Sequence, residues 1–300
     1  MKLLITGGTG FIGRVLCEYF LNKGHQLILL TRNTKKISAL YVNRKVEVIN
    51  AIGALSFETE IDAIINLAGE GIADKRWSAQ RKQELIISRE SVTQAIIKYI
   101  KRAKKKPGVL INGSAVGFYG EQGDIEVVET SQCNPDFGHR ICEVWENTAQ
   151  KARESGVRVC IIRLGPVVGS GGGFLQRMLL PFKLGLGGRI GDGQQWMSWV
   201  HIDDVIGVID FLLHKQDADG AYNLTAPTPV RNSTFAQIFA GVLHRPAFFP
   251  LPASLLKMAL GEMSGLLLGG QKVLPTRLQA SGYQFKYPEL KEALEQVFKK

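Results

Sequence analysis

The chain has 300 residues, 45% of them hydrophobic and 21% charged, with a formal net charge of +10. At that size roughly three quarters of the unfolded surface can be buried, and the balance excludes a disordered, collagenous or disulfide-stapled chain. Four scattered cysteines without metal-ligand spacing, and an N-terminus with neither leader nor spanning segment, point to a reducing, cytoplasmic setting with no metal and no membrane partner.

From the N-terminus, apolar runs alternate with stretches of helical spacing. Lys2 to Thr6 predicts a short strand. A glycine-rich turn follows, then a helix from Phe11 to Lys23 that carries Val15, Leu16, Tyr19 and Phe20 and stops at Gly24. Further strands are expected over Gln26 to Thr31, Val46 to Asn50 and Ala63 to Leu67, the last a continuous apolar run of buried-strand type. Ser78 to Arg102 predicts a long helix with room for a break. The basic run Lys101, Arg102, Lys104, Lys105 and Lys106 closes it before Pro107. Cations there suit the negative end of a helix, so no nucleic-acid partner is expected. A strand over Val109 to Asn112, a helix over Ile141 to Glu154 and a strand over Val157 to Arg163 continue the pattern. The alternation predicts an α/β fold: a doubly wound parallel sheet of the Rossmann type, covered on both faces. Beyond Gly165, glycine clusters at 169–173 and 185–193 flank an amphipathic stretch from Phe174 to Leu184, and prolines punctuate the chain after Pro227. The expected division is a nucleotide-binding domain over 1–225 and a smaller C-terminal substrate or partner lobe over 226–300.

The turn Thr6-Gly7-Gly8-Thr9-Gly10-Phe11-Ile12-Gly13 follows a strand and opens a helix, the context in which a Gly-x-Gly-x-x-Gly pattern carries meaning. Glycines permit the tight turn and the close approach of a pyrophosphate, and the helix N-terminus offers unpaired N–H groups. Gly7, Thr9, Gly10, Phe11, Ile12 and Gly13 are therefore the expected cofactor cradle. About 20 positions on, an acid would bind the ribose hydroxyls of NAD. Thr31-Arg32-Asn33 stands there instead. A guanidinium matches a 2′-phosphate, so Arg32 points to NADP.

Several segments go together with this turn. They are Asn66-Leu67-Ala68-Gly69-Glu70 with Arg76-Trp77, Gly113 to Gly120, Leu184 to Gly188, Trp199 to Asp204, and Gly269 to Pro275. The set resembles an atypical branch of the extended short-chain dehydrogenase/reductase superfamily. Its members are labelled epimerase family proteins, are nucleoside-diphosphate-sugar epimerase-like, and carry a small C-terminal domain of unknown function. The resemblance spans essentially the whole chain. It implies NAD(P) binding along Leu67, Ala68 and Gly69, and matches Ser114 to the superfamily's upstream catalytic serine; Arg89 stands where a helix asparagine is usual.

The same superfamily uses a tyrosine and a lysine four residues later as its acid/base pair. The matching segment here, Pro135 to Glu143, has neither, and Phe137 cannot carry a proton. Three other Tyr-x-x-x-Lys matches (Tyr19 to Lys23, Tyr41 to Lys45, Tyr287 to Lys291) fall in the wrong elements. Substitute chemistry is therefore sought at Ser114, Tyr119, Glu70 and His139. Cys142 is read as a buried structural thiol, and Asp203 as a helix cap. The expected function is an NADP-dependent oxidoreductase or epimerase that transfers hydride to or from a small polar substrate, a sugar or nucleotide sugar among them. The alternative is a non-catalytic NADP-binding protein that recognises a partner. A small-molecule substrate is expected, and a homodimer is left open.

Overall fold

Residues 1–299 are described by a computed structural model. Among them β1 (Lys2–Thr6), β2 (Gln26–Leu30), β3 (Val46–Ile49), β4 (Ala63–Asn66), β5 (Val109–Ala115), β6 (Arg158–Leu164) and β7 (Gly220–Leu224) form one sheet. The order across it is β7-β6-β5-β4-β1-β2-β3, and every pairing is parallel.

Side chains alternate between the two faces of a strand. Leu3 and Ile5 join one core with α1 (Phe11–Asn22), and Leu4 joins another with α3 (Ala79–Arg102). All four residues of β4 are buried, which is why it reads as an unbroken apolar run. In α1 the buried positions Gly13, Leu16, Cys17, Phe20 and Leu21 follow helical spacing. The strands wind outward from β1 in both directions, so the crevice at the β1 and β4 carboxyl ends is the topological switch point where ligands bind in such sheets. Buried polar side chains cross that end: Thr6 Oγ1 donates to Asn66 Oδ1 at 2.6 Å, and Asn66 Nδ2 donates to Asn112 Oδ1 at 2.6 Å.

Several elements depart from the sequence reading. The short helix α2 (Thr34–Leu40) and the strand β7 were not anticipated. β7 carries Gly220 and Asn223, and its pattern becomes legible only once Asn223 is seen to be buried. α3 runs unbroken from a Ser78 cap. The helix expected from Ile141 begins four residues earlier, as α4 (Phe137–Gln150), because Asp136 Oδ1 accepts the His139 N–H at 2.7 Å.

Beyond β6 lie α5 (Gly173–Lys183), α6 (Ile202–His214), α7 (Asn232–Val242), α8 (Ala253–Leu260) and a last helix, Leu290–Phe298. The cap of α6 is His201, whose Nδ1 accepts the Asp203 N–H at 3.1 Å; Asp203 is not the cap expected but pairs with Lys286 at 2.9 Å. Phe235 and Phe239 of α7 and Leu290, Ala293 and Leu294 of the last helix share one core with Val168, Leu175, Phe182 and Trp199. The C-terminal residues thus pack into a core built partly from earlier chain. Two short pairings join them to it: Val230–Arg231 with Trp196–Met197, and Lys272–Val273 with Glu126–Val127. Among the described residues no helix is long and apolar enough to cross a membrane, and no cluster of His, Cys, Asp or Glu could hold a metal ion.

Candidate functional site

Two cavities meet at the switch point. The first, of about 1070 Å³, is lined by Gly7, Gly8, Thr9 and Gly10, by Thr31 and Arg32 after β2, and by Leu67, Ala68, Gly69 and Glu70 after β4. Gly7 has φ 72°, and a Cβ there would lie 2.6 Å from the Leu67 carbonyl, so only glycine serves. A Cβ on Gly13 would lie 2.1 Å from the Gly7 oxygen, which makes Gly13 part of the turn's packing. Gly10 caps α1 with no side-chain hydrogen bond, leaving the first-turn N–H groups for an anion. Arg32 is almost fully exposed and holds Glu70 Oε1 at 3.1 Å. A glycine cradle and an uncapped helix end fit a dinucleotide, with a guanidinium standing at the β2 end.

One expectation changes here, for Glu70, while Phe11 and Ile12 keep their N–H groups in the uncapped first turn. Phe11 lines neither cavity; its ring lies beneath the 169–173 glycine loop, where a Cβ on Gly172 would come within 2.7 Å of it. That contact gives the loop its need for glycine. Ile12 faces the second cavity. Glu70 sits in the first cavity, between Arg32 and Arg81 Nη1 (3.6 Å), and does not line the cavity that holds Ser114.

The second cavity, of about 630 Å³, shares Leu67 with the first. Ser114, Cys142 and Trp145 line it, as do Trp77 and Phe137, which meet edge to face at 4.8 Å. Met178 of α5 and residues 265–267 add further lining. Ser114 Oγ donates to Glu146 Oε1 at 2.6 Å. Arg163 grips the same carboxylate with two bonds of 2.9 Å, Nε to Oε1 and Nη2 to Oε2. All three side chains are buried. The fork geometry fixes Glu146 and compensates two charges that would be costly apart.

Tyr119 does not face the cavity. Its ring is fully buried, and its hydroxyl donates to Asn223 Oδ1 at 2.6 Å and accepts from Arg163 Nη1 at 2.9 Å. Burial raises its pKa above the usual phenol value, so the proton-carrier role expected of it is corrected to a structural one. His139 is likewise packed away. Its Nδ1 lies 2.6 Å from the Phe118 oxygen, Nε2 lies 3.8 Å from Glu143 Oε1, and it lines neither cavity. Cys142 does line the second cavity, with its thiol pushed up to about 11 by burial. Tyr19 and Lys23 both bind Asp210, at 3.0 and 2.6 Å, and tie α1 to α6.

Sequence reasoning missed Glu146 and Arg163. A faint signal existed. Glu146 interrupts the apolar face of α4 set by Ile141, Cys142, Trp145 and Ala149, and Arg163 ends the apolar run of β6. Opposite charges inside two otherwise apolar runs are the mark of a buried pair. Arg89 also lines the second cavity. It donates to the Leu85 and Glu70 carbonyls at 2.9 and 3.1 Å and lies over the Trp145 ring.

Comparison with known proteins gives a consistent picture. Residues 3–225 match the model of the NAD dependent epimerase/dehydratase family, and residues 251–297 match a domain of unknown function, DUF1731. The chain is 41% identical over 304 residues to the epimerase family protein MW0731 of Staphylococcus aureus, with 99% of each covered. It is similar to the human epimerase family protein SDR39U1 solved with NADPH, at 36% identity and TM-score 0.91, covering 99% of each chain. A UDP-glucuronic acid 4-epimerase from Bacillus cereus, solved with UDP-glucuronic acid and NAD, shares the fold at 20% identity and TM-score 0.78, with 99% and 98% covered.

Proposed function

Since the chain belongs to the NAD dependent epimerase/dehydratase family, we propose that it is an NADP-dependent oxidoreductase or epimerase that transfers hydride at a carbon held beside Ser114. The observation that supports this reading is the meeting of the two cavities at Leu67, the glycine turn lining the first and Ser114, bonded to Glu146, lining the second. Gly7, Gly10 and the α1 N-terminus would hold the pyrophosphate, Leu67, Ala68 and Gly69 would line the cofactor, and Arg32 would hold the 2′-phosphate. The human relative solved with NADPH supports NADP over NAD. A nicotinamide held there would supply the chemistry of hydride donation and acceptance.

The chain's own groups move the proton. Ser114 spends its hydroxyl hydrogen on Glu146, so its lone pairs are left to accept. In the oxidative direction a substrate hydroxyl donates its proton to Ser114 Oγ while Ser114 passes its own to the Glu146 carboxylate. In the reductive direction the two protons return along the same path. Arg163 holds Glu146 in line throughout, so the relay needs no phenol.

With NADPH and a panel of carbonyl compounds, absorbance of the reduced nicotinamide should fall. Ser114→Ala and Glu146→Gln should each slow that fall by at least about ten-fold, the lower range of general acid/base contributions discounted for a relay, and leave NADPH affinity nearly unchanged. No turnover across the panel would return the chain to the binding-protein reading.

A further inference from the structure

The second cavity has the wrong chemistry for a nucleotide sugar. Among its described lining residues there is one cation, Arg89, against three carboxylates, Glu121, Asp136 and Glu262. Arg89 is occupied by two backbone carbonyls and the face of Trp145. Three cations beside the lining are also taken, and Arg76, beside Trp77, is not among the lining residues. Arg231 and Lys272 lie over the Trp196 ring, but Arg231 pairs with Asp124 at 2.6 Å and Lys272 with Glu126 at 2.8 Å. Lys82 pairs with Glu262. A diphosphate entering such a cavity would lose its water and meet a surplus of like charge.

Several polar lining groups are likewise committed, the Gln271 side chain being an exception. Ser198 Oγ donates to the Gln271 oxygen at 2.6 Å and accepts the Val273 N–H at 2.9 Å. Asn232 Oδ1 accepts the Ile190 N–H at 2.7 Å. Gln195 Nε2 donates to the Ile190 and Leu267 oxygens at 3.1 and 2.8 Å. These bonds hold loops around the cavity and leave little for sugar hydroxyls, each of which is costly to bury unpaired. What remains is apolar and aromatic. Three of the chain's four tryptophans line the cavity, together with Phe137, Met178 and Leu267. Trp145 Nε1 is buried with no hydrogen-bond partner.

We propose that this cavity takes a small apolar carbonyl compound, aromatic or branched aliphatic, or the corresponding alcohol, in place of the polar or sugar substrate that the sequence suggested. The reaction assigned to that compound rests on the hydride-transfer reading above; its binding does not. Such a ligand has one polar group to pair: an alcohol's hydroxyl can donate to the Ser114 Oγ lone pairs, and a carbonyl oxygen accepts the Ser114 proton once Glu146 holds one in its place.

The full chain loaded with NADP can be titrated with benzylacetone and with UDP-glucose, following quenching of tryptophan fluorescence, while NADPH oxidation is followed separately. Benzylacetone should bind at least about ten-fold more tightly than UDP-glucose, the scale set by one or two buried unpaired polar groups. Met178→Lys should weaken that binding about ten-fold. Met178→Gln, closer in volume, should shift it in the same direction. UDP-glucose binding as tightly or more tightly, or neither compound binding, overturns the substrate class. Indifference of both Met178 variants to benzylacetone overturns its placement. Benzylacetone binding without NADPH oxidation leaves the substrate class standing and counts against the hydride-transfer reading.

Discussion

On the proposed cofactor reading, Arg32 would exchange one partner for another. Its bond to Glu70 is exposed, and an exposed ion pair is worth only about 0–1 kcal/mol. Releasing Glu70 to meet a 2′-phosphate therefore costs little, while a charge-assisted bond to phosphate contributes about 1.5–3 kcal/mol. Arg32→Ala should weaken NADP binding by about ten-fold or more and leave NAD binding unchanged. Calorimetric titration of both nucleotides checks this, and an equal loss for NAD would remove Arg32 from cofactor choice. Tyr119 teaches the opposite lesson. A residue five positions from Ser114 in sequence faces away from it in space, because the short helical turn Val116–Tyr119 carries its ring into the core against Arg163 and Asn223.

At the level of elements, α4 does most to build the second cavity. It presents Phe137, Ile141, Cys142 and Trp145 to the cavity and Glu146 to Ser114. Its start is fixed by Asp136, which accepts the His139 N–H and itself lines the cavity. Losing such a cap costs about 1 kcal/mol, a drop in Tm of about 2 °C for a chain of this length. Asp136→Ala should show that drop in thermal unfolding. If the first turn frays, substrate KM should rise more than kcat falls, because Phe137 moves before Glu146 does. An unchanged Tm would mean that packing of Phe137 against Trp77, and not the cap, sets the start of the helix.

For the molecule as a whole, the C-terminal residues are held down by buried polar bonds as well as by apolar packing. Asp204, fully buried on α6, accepts the N–H groups of Lys286 and Tyr287 at 2.7 and 3.0 Å and the Tyr283 hydroxyl at 3.2 Å. Burial also shapes the alkaline limit of stability. The thiols of Cys142 and Cys160 are pushed up to about 11 and that of Cys17 to about 12, from an ordinary value of 9.0. A group whose pKa is raised on folding stabilises fully below its unfolded value, and that contribution is lost as pH rises through the folded value. Unfolding midpoints in urea should therefore hold to about pH 9 and fall between about pH 9 and 12. Cys160→Ala should flatten part of that fall, and an identical fall in the variant would show that other groups set the limit.

The sequence by itself determined what neighbours along the chain decide. The glycine turn, the strand and helix periods, the arginine at the β2 end and the absence of a Tyr-x-x-x-Lys pair on α4 are all local patterns. The parallel sheet, the dinucleotide crevice and the family follow from them. Tertiary structure alone decided which distant groups meet. Ser114 finds Glu146 across 32 residues, Glu146 finds Arg163 across 17, and Tyr119 is turned to Asn223 across 104. Those pairings depend on how α4 packs against β5 and β6. A buried charge announces its need for a partner in sequence, but only packing supplies the partner's name.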